Sequence, residues 1–332
     1  MRRIRMTKRF SVVIVLLLAL VVTTSALAAN GPFVGDSKEE YYMVTFVSGI
    51  EYWKGCFAGM EDAAKLLGVK AIYTGAPQAD VNQQVTVLEQ VIAKQPAGIA
   101  VTCSNPDGLR APIDLAIEAG IPVVTFDADS PLSKRYCYLG TGNYNAGAMA
   151  ARYLAGLIGG KGEVAISTVT GQLNHEERKA GFIETLAREY PDVKVVATGN
   201  DNNDQTIAAT LVAGFLQAHP NLSGIFCTDA LGGVGAATSV READKIGKVR
   251  IVSFDTDQGT LDLIKEGIID ASIAQGTWNM GYWSMLMLYS VRHDLVKPVE
   301  GWQTKGINPL PGVVDTGTNV VTKENVEAFY VK

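Results

Sequence analysis

Short apolar, β-branched runs alternate along most of the chain with longer stretches of three-four periodicity. The runs at 43–47, 99–102, 121–126, 163–168, 193–198, 224–228, 249–254 and 271–274 read as strands. After the first of them, 52–67 places Phe57, Met60, Ala64 and Leu67 at helical spacing. Gly68 then stands where a left-handed helix cap belongs. Residues 106–119 read as a further helix. Near-continuous apolar strands separated by helices predict an α/β fold with parallel sheets covered on both faces.

The pattern also echoes itself. Val124-Thr-Phe-Asp-Ala-Asp129 returns 128 residues later as Val252-Ser-Phe-Asp-Thr-Asp257. Upstream, Gly98-Ile-Ala-Val-Thr-Cys-Ser104 parallels Gly224-Ile-Phe-Cys-Thr-Asp229. Two similar lobes are therefore expected rather than one large sheet. Open parallel sheets take their ligands beyond the carboxyl ends of the strands. Asp127 and Asp255 are thus expected on opposite walls of one cleft.

Of the 332 residues, the first 28 stand apart. Arg2, Arg3, Arg5, Lys8 and Arg9 precede an apolar run at 12–22, and Ala26-Leu-Ala28 supplies small residues before Ala29. This is the layout of a secretory signal peptide. The run is shorter than the roughly 20 residues of a transmembrane helix. A soluble, exported protein is expected. Loss of 1–28 would remove five positive charges and move the net charge from −5 to −10. An acidic excess of that size argues against a nucleic-acid or anionic-membrane partner. Cys56, Cys103, Cys137 and Cys227 form no CxxC pair and are compatible with buried thiols or with a bridge.

Catalytic signatures are sparse. GxSxG, HExxH, Walker A and strand-linked GxGxxG patterns are all missing. Asp201-Asn-Asn-Asp-Gln205 has the composition of a calcium loop but lacks the EF-hand glycine and terminal Glu. No metal, cofactor or catalytic residue is expected. Polar and aromatic residues gather instead at predicted strand ends. They are Ser48, Glu51, Tyr52, Trp53, Asn105, Asp127 and Asp129 in the first half. In the second half they are Asn174, Arg178, Asn203, Asp229, Asp255 and Gln275. Carboxylates, amides and one guanidinium suit hydroxyls, which both donate and accept. An aromatic plane suits the C–H face of a sugar ring. A neutral sugar or polyol is the expected ligand. Trp278, three residues past Gln275, either lines the same cleft or packs into a helix face. Asp127 and Asp255 are also compatible with the acid–base pair of a carbohydrate-active enzyme.

Several segments resemble the type I periplasmic sugar-binding proteins of ABC importers. They include Gly59-Met-Glu-Asp-Ala-Ala-Lys65, Asn105-Pro-Asp-Gly108, Gly120-Ile-Pro-Val-Val-Thr-Phe-Asp127, Arg178-Lys-Ala-Gly-Phe182, Ala218-His-Pro220, Ser253-Phe-Asp255 and Ile273-Ala-Gln275. Their order and spacing carry the likeness across almost the whole chain after the leader. The resemblance implies two Rossmann-like, doubly wound lobes joined by a three-crossover hinge. The lobes would be 40–141 plus 276–306 and 142–275 plus 307–332. It implies ligand contacts from Asp127, Arg178, Asn203, Asp229, Asp255 and Gln275, with Tyr52 and Trp53 as aromatic cover. It also implies a monomer that delivers its ligand to an inner-membrane permease. Ala128 departs from the Arg found after this Asp in ribose binders. A receptor for a small sugar-like signal of the autoinducer-2 type is the alternative within the same family.

Overall fold

The computed structural model describes residues 33–330. The leader expected at 1–28 lies outside them. The chain begins with β1 (Glu40–Thr45), α1 (Tyr52–Leu67), β2 (Lys70–Gly75), α2 (Val81–Ala93), β3 (Gly98–Val101), α3 (Pro106–Glu118), β4 (Val123–Phe126) and β5 (Tyr138–Gly140). It continues with α4 (Asn143–Leu157), β6 (Gly162–Thr168), α5 (Leu173–Glu189), β7 (Val193–Asn200), α6 (Gln205–Ala218), β8 (Leu222–Cys227), α7 (Ala230–Glu242), β9 (Arg250–Phe254), α8 (Gln258–Glu266) and β10 (Ala271–Gln275). The last elements are α9 (Thr277–Arg292), β11 (Val313–Asp315), β12 (Thr318–Val321) and a short 3₁₀ turn, Val326–Ala328.

Among the described residues the strands form two six-stranded sheets, ordered β11-β5-β4-β3-β1-β2 and β12-β10-β9-β8-β6-β7. Every pairing is parallel except that of β10 with β12. The expected α/β class and paired parallel sheets are what the chain adopts. The chain changes sheet after Gly140, after Gln275 and between Asp315 and Thr318. The third change is not at 306/307, where the sequence reading put it. Val313–Asp315 adds in parallel to Tyr138–Gly140 and carries the first sheet on to Asp315.

Alternation along each strand feeds a core on both faces. In β1, Tyr41 and Met43 pack with α1 and α9, while Tyr42 and Val44 pack on the opposite side with Leu88, Val91 and Ile113. In β6, Val164 and Ile166 face α4 and α5, while Ala165 faces α6 and α7. Gly68 caps α1 at φ 72°, as its position in the sequence predicts. All four cysteines are buried free thiols.

One close approach in the second lobe bears on the site. A Cβ on Gly147 of α4 would lie 1.9 Å from the carbonyl oxygen of Arg178 in α5. A Cβ on Gly181 of α5 would lie 2.0 Å from the carbonyl oxygen of Tyr144 in α4. The two helices therefore touch backbone to backbone, and this contact sets the position of Arg178. Gly147→Ala is expected to cost about 1–3 kcal/mol of stability by overpacking and to weaken ligand binding. Urea denaturation with wild-type stability in that variant would show that the helices do not meet so closely.

Candidate ligand-binding site

The carboxyl ends of both sheets open onto one cleft of about 1020 Å³. That is at the large end of the roughly 300–1,000 Å³ typical of small-molecule sites. The two Phe-Asp-x-Asp echoes have the same geometry. Asp127 and Asp255 each leave their strand in the left-handed region, at φ 61° and 67°. Each donates its backbone N–H to the neighbouring strand, to Leu139 and Ile273 respectively. Asp is among the few non-glycine residues that tolerate this conformation. It swings both carboxyls out of the sheet and into the cleft.

On the first lobe, Asp127 Oδ1 accepts from the Tyr52 hydroxyl at 2.7 Å, and Oδ2 accepts from Thr102 Oγ1 at 3.3 Å. Burial pushes the Asp127 carboxyl up to about 6 despite the Tyr52 hydroxyl and the Arg178 charge. Tyr52 packs edge-on against Trp53, with ring centres 4.9 Å apart. Trp53 is itself almost wholly buried between Phe46 and Phe126. Tyr52 is therefore the more open aromatic surface, and Trp53 fixes its tilt.

On the second lobe, Arg178 is 2% exposed. Its Nε donates to Asn143 Oδ1 at 2.9 Å and its Nη1 to the Thr228 carbonyl at 2.8 Å. The guanidinium lies 3.9 Å over the Phe254 ring. Among the described residues no carboxylate comes within ion-pairing distance of Arg178. Its charge acts at longer range instead, on Asp127 across the cleft and on Asp229 and Asp255 of its own lobe, opposing the burial that pushes these carboxyls up. Asp229 caps α7, accepting from Gly232 N–H at 2.7 Å. At the hinge, Gln275 donates to Asp255 Oδ1 and accepts from Thr141 Oγ1, both at 2.6 Å. Gln275 thus joins the first crossover to the second-lobe wall.

The family model for the periplasmic binding protein domain matches residues 41–293. The chain belongs to this family. A sugar-binding protein of a sugar ABC transporter from Bacillus halodurans is 49% identical, with a TM-score of 0.85 over 88% of this chain and 100% of its own. An arabinose binding protein from Geobacillus stearothermophilus is 50% identical, with a TM-score of 0.83 over 89% of this chain and 100% of its own. The D-allose-binding periplasmic protein of Escherichia coli is 27% identical over 86% of this chain and 92% of its own.

These relatives are binding proteins, and the chain, as a member of the same family, is a binding protein and not an enzyme. Asp127 and Asp255 belong to its cleft walls, already engaged by Tyr52 and Gln275. Of the sequence-predicted residues, Tyr52, Trp53, Asp127, Arg178, Asp229, Asp255 and Gln275 form the inner walls. Asn174 and Asn203 also line the cleft, with Asn203 exposed.

Two predicted residues are at the cleft but occupied. Asn105 accepts from Gly108 N–H and caps α3. Asp129 accepts from both Nε and Nη2 of Arg135, from Thr125 Oγ1 and from Ser130 N–H. Two others do not line the cleft at all. The Ser48 N–H is tied to the Ala76 carbonyl at 2.7 Å, and the residue is exposed outside the cleft lining. Glu51 stands exposed ahead of the first turn of α1 and makes no side-chain cap. Trp278 lies on the outer surface, stacked on Tyr282 and donating to Asp62.

Sequence reasoning missed Tyr138, Thr141 and Asn143, which all line the cleft. The Tyr138 hydroxyl donates to the Asp127 carbonyl at 2.7 Å and props the left-handed turn. Polar residues just after Gly140 were the available signal, but β5 is too short to show a period. His175, in the first turn of α5, also lines the cleft. It is buried, bonds Thr228 Oγ1 at 2.9 Å, and is pushed down by burial and then by Arg178, so it stays neutral.

Proposed function

We propose that this chain captures a neutral monosaccharide, with a pentose of the arabinose type as the first candidate, and delivers it to an ABC permease. The observation that carries this reading is one guanidinium facing acidic side chains from both lobes. Asp127 comes from the first lobe and Asp229 and Asp255 from the second, beside an aromatic surface at Tyr52. A phosphorylated ligand would meet carboxyls wherever it turned away from Arg178. A sugar hydroxyl donates to a carboxyl and accepts from Arg178 at once. The arabinose-binding relative at 50% identity supports the same ligand class.

No bond is made or broken in this reading. The ligand contacts both walls only when the lobes close, so it shifts an open–closed equilibrium by its differential affinity. The permease reads the closed shape. We further propose that the protein acts as a monomer, exported after removal of 1–28.

Isothermal titration calorimetry with L-arabinose, D-arabinose, D-xylose, D-ribose, D-allose, D-galactose and xylitol tests the proposal. At least one pentose is expected to bind with a Kd in the micromolar range or tighter. Failure of every member, with an amino acid or peptide binding instead, would overturn it.

A further inference from the structure

Behind the second-lobe wall lies a pair of acidic side chains that the ligand-binding reading does not use. Asp201 follows β7 and is fully buried. Its Oδ2 accepts from Ser167 Oγ at 2.6 Å and its Oδ1 from Asn203 N–H at 2.9 Å. Asp229 is 4% exposed and lines the cleft. Its Oδ1 accepts from Gly232 N–H, while its Oδ2 is buried with no partner. Both carboxyls press on one point of α7. A Cβ on Gly232 would lie 2.9 Å from Asp201 Oδ2 and 3.3 Å from Asp229 Oδ2.

We propose that Asp229, set beside the buried Asp201 carboxyl, keeps its own proton, so that it presents a neutral carboxyl to the ligand and affinity falls as pH rises. This rests on the sugar-binding reading of the same cleft. The N-terminus of α7 stabilises one negative charge. It does not offset a second buried like charge at the same point of α7, which favours the protonated form of Asp229. Among the described residues no Lys, Arg or His forms an ion pair with either. Burial first, then Asp201, pushes the Asp229 carboxyl up to about 7.

The other charged or titratable neighbours do not supply the missing proton. From α5, Arg178 favours the ionised form of Asp229 but acts from a distance. His175, reached through Thr228, is held neutral. From β8, Cys227 is pushed well up by burial and stays a thiol. After β9, Asp255 adds a further like charge. The free Oδ2, once protonated, becomes a donor in a wall otherwise rich in acceptors. Closure over a ligand removes further water and favours the neutral form. The bound state therefore holds more proton than the free state, and affinity must fall with rising pH.

The test is calorimetry with L-arabinose between pH 6.5 and 9. Wild-type Kd is expected to rise, by up to about tenfold per pH unit in the one-proton limit. Asp229→Asn, neutral at every pH, is expected to bind with a flat profile. Asp201→Asn removes the like charge and is expected to move the onset of weakening to lower pH, a shift that a purely structural role would not produce. A flat wild-type profile, or the wild-type slope retained in Asp229→Asn, overturns the proposal. Carboxyl ¹³C resonances of the ligand-free protein read the proton without any sugar. A resonance titrating near neutrality and lost in Asp229→Asn is expected. Titration of every aspartate carboxyl below pH 5 overturns the proposal whatever the ligand. If no sugar in the panel binds at pH 6.5 while that resonance still titrates near neutrality, the function reading fails and the protonated Asp229 stands.

Discussion

Arg178→Ala is expected to abolish sugar capture, with at least a thousandfold rise in Kd, and to destabilise the second lobe. The side chain is buried and serves three tasks at once. It satisfies Asn143 Oδ1 and the Thr228 carbonyl, covers the Phe254 face, and supplies the positive charge opposing three raised carboxyls. Truncation leaves buried acceptors unpaired and removes the charge that faces Asp127, Asp229 and Asp255. Leaving a buried acceptor unpaired costs about 1–3 kcal/mol, so stranding both the Asn143 and Thr228 oxygens costs about 2–6 kcal/mol. That is a large share of the roughly 5–15 kcal/mol that holds a domain folded.

Arg178→Lys separates the tasks. It keeps the charge but loses the planar fork that reaches Asn143 and Thr228 together. A fold close to wild type with affinity reduced about 10- to 150-fold is expected, in line with about 1.5–3 kcal/mol for hydrogen bonds to a charged group. Calorimetry beside urea denaturation reads both effects. Binding by Arg178→Ala within tenfold of wild type would remove Arg178 from the site.

Much of the cleft was legible because the informative signals were local. The Phe-Asp-x-Asp echo depends only on two apolar strands and the residue that ends each. Both copies turn out with nearly the same left-handed φ. Arg178 was legible as a basic residue at the start of a helix following a strand end. The third crossover was not legible. β5, β11 and β12 are strands of three or four residues, and a period of two cannot be read over so short a run. Tyr138, Thr141 and Asn143 were lost with β5.

The surplus residues failed for a different reason. Asp129 and Asn105 have the right chemistry at the right strand ends. Whether a carboxylate or amide is free depends on its partners, and Arg135 and the Gly108 amide occupy them. Asp201 was read only as part of an acidic loop. Its burial against Ser167 follows from the turn at 201–204, where Asp204 caps α6 and Asp201 points inward.

Asp127→Asn is expected to separate stability from function. The Asp127 carboxyl is pushed up from 3.8 to about 6 in the folded state. Stability from its protonated form is therefore fully present below about pH 4 and lost as pH rises through 6. By pH 8 the native state carries a buried charge costing about 3 kcal/mol, from roughly 1.4 kcal/mol per pH unit. Asparagine removes that charge without disturbing its setting. It tolerates the left-handed φ of 61°. Its Oδ1 can still accept from the Tyr52 hydroxyl, and its amide can donate to Thr102 Oγ1. A gain of about 2–3 kcal/mol at pH 8 is expected on this linkage, shrinking to near zero at pH 4. Affinity is expected to fall about 10- to 150-fold, because hydrogen bonds to a carboxylate are worth about 1.5–3 kcal/mol and an amide does not replace them. Urea denaturation at the two pH values and calorimetry at pH 8 check both halves. A variant less stable than wild type at pH 8 would mean that the carboxylate is stabilised in the folded protein. Asp127 would then be a structural anion rather than a strained group held ready for the ligand.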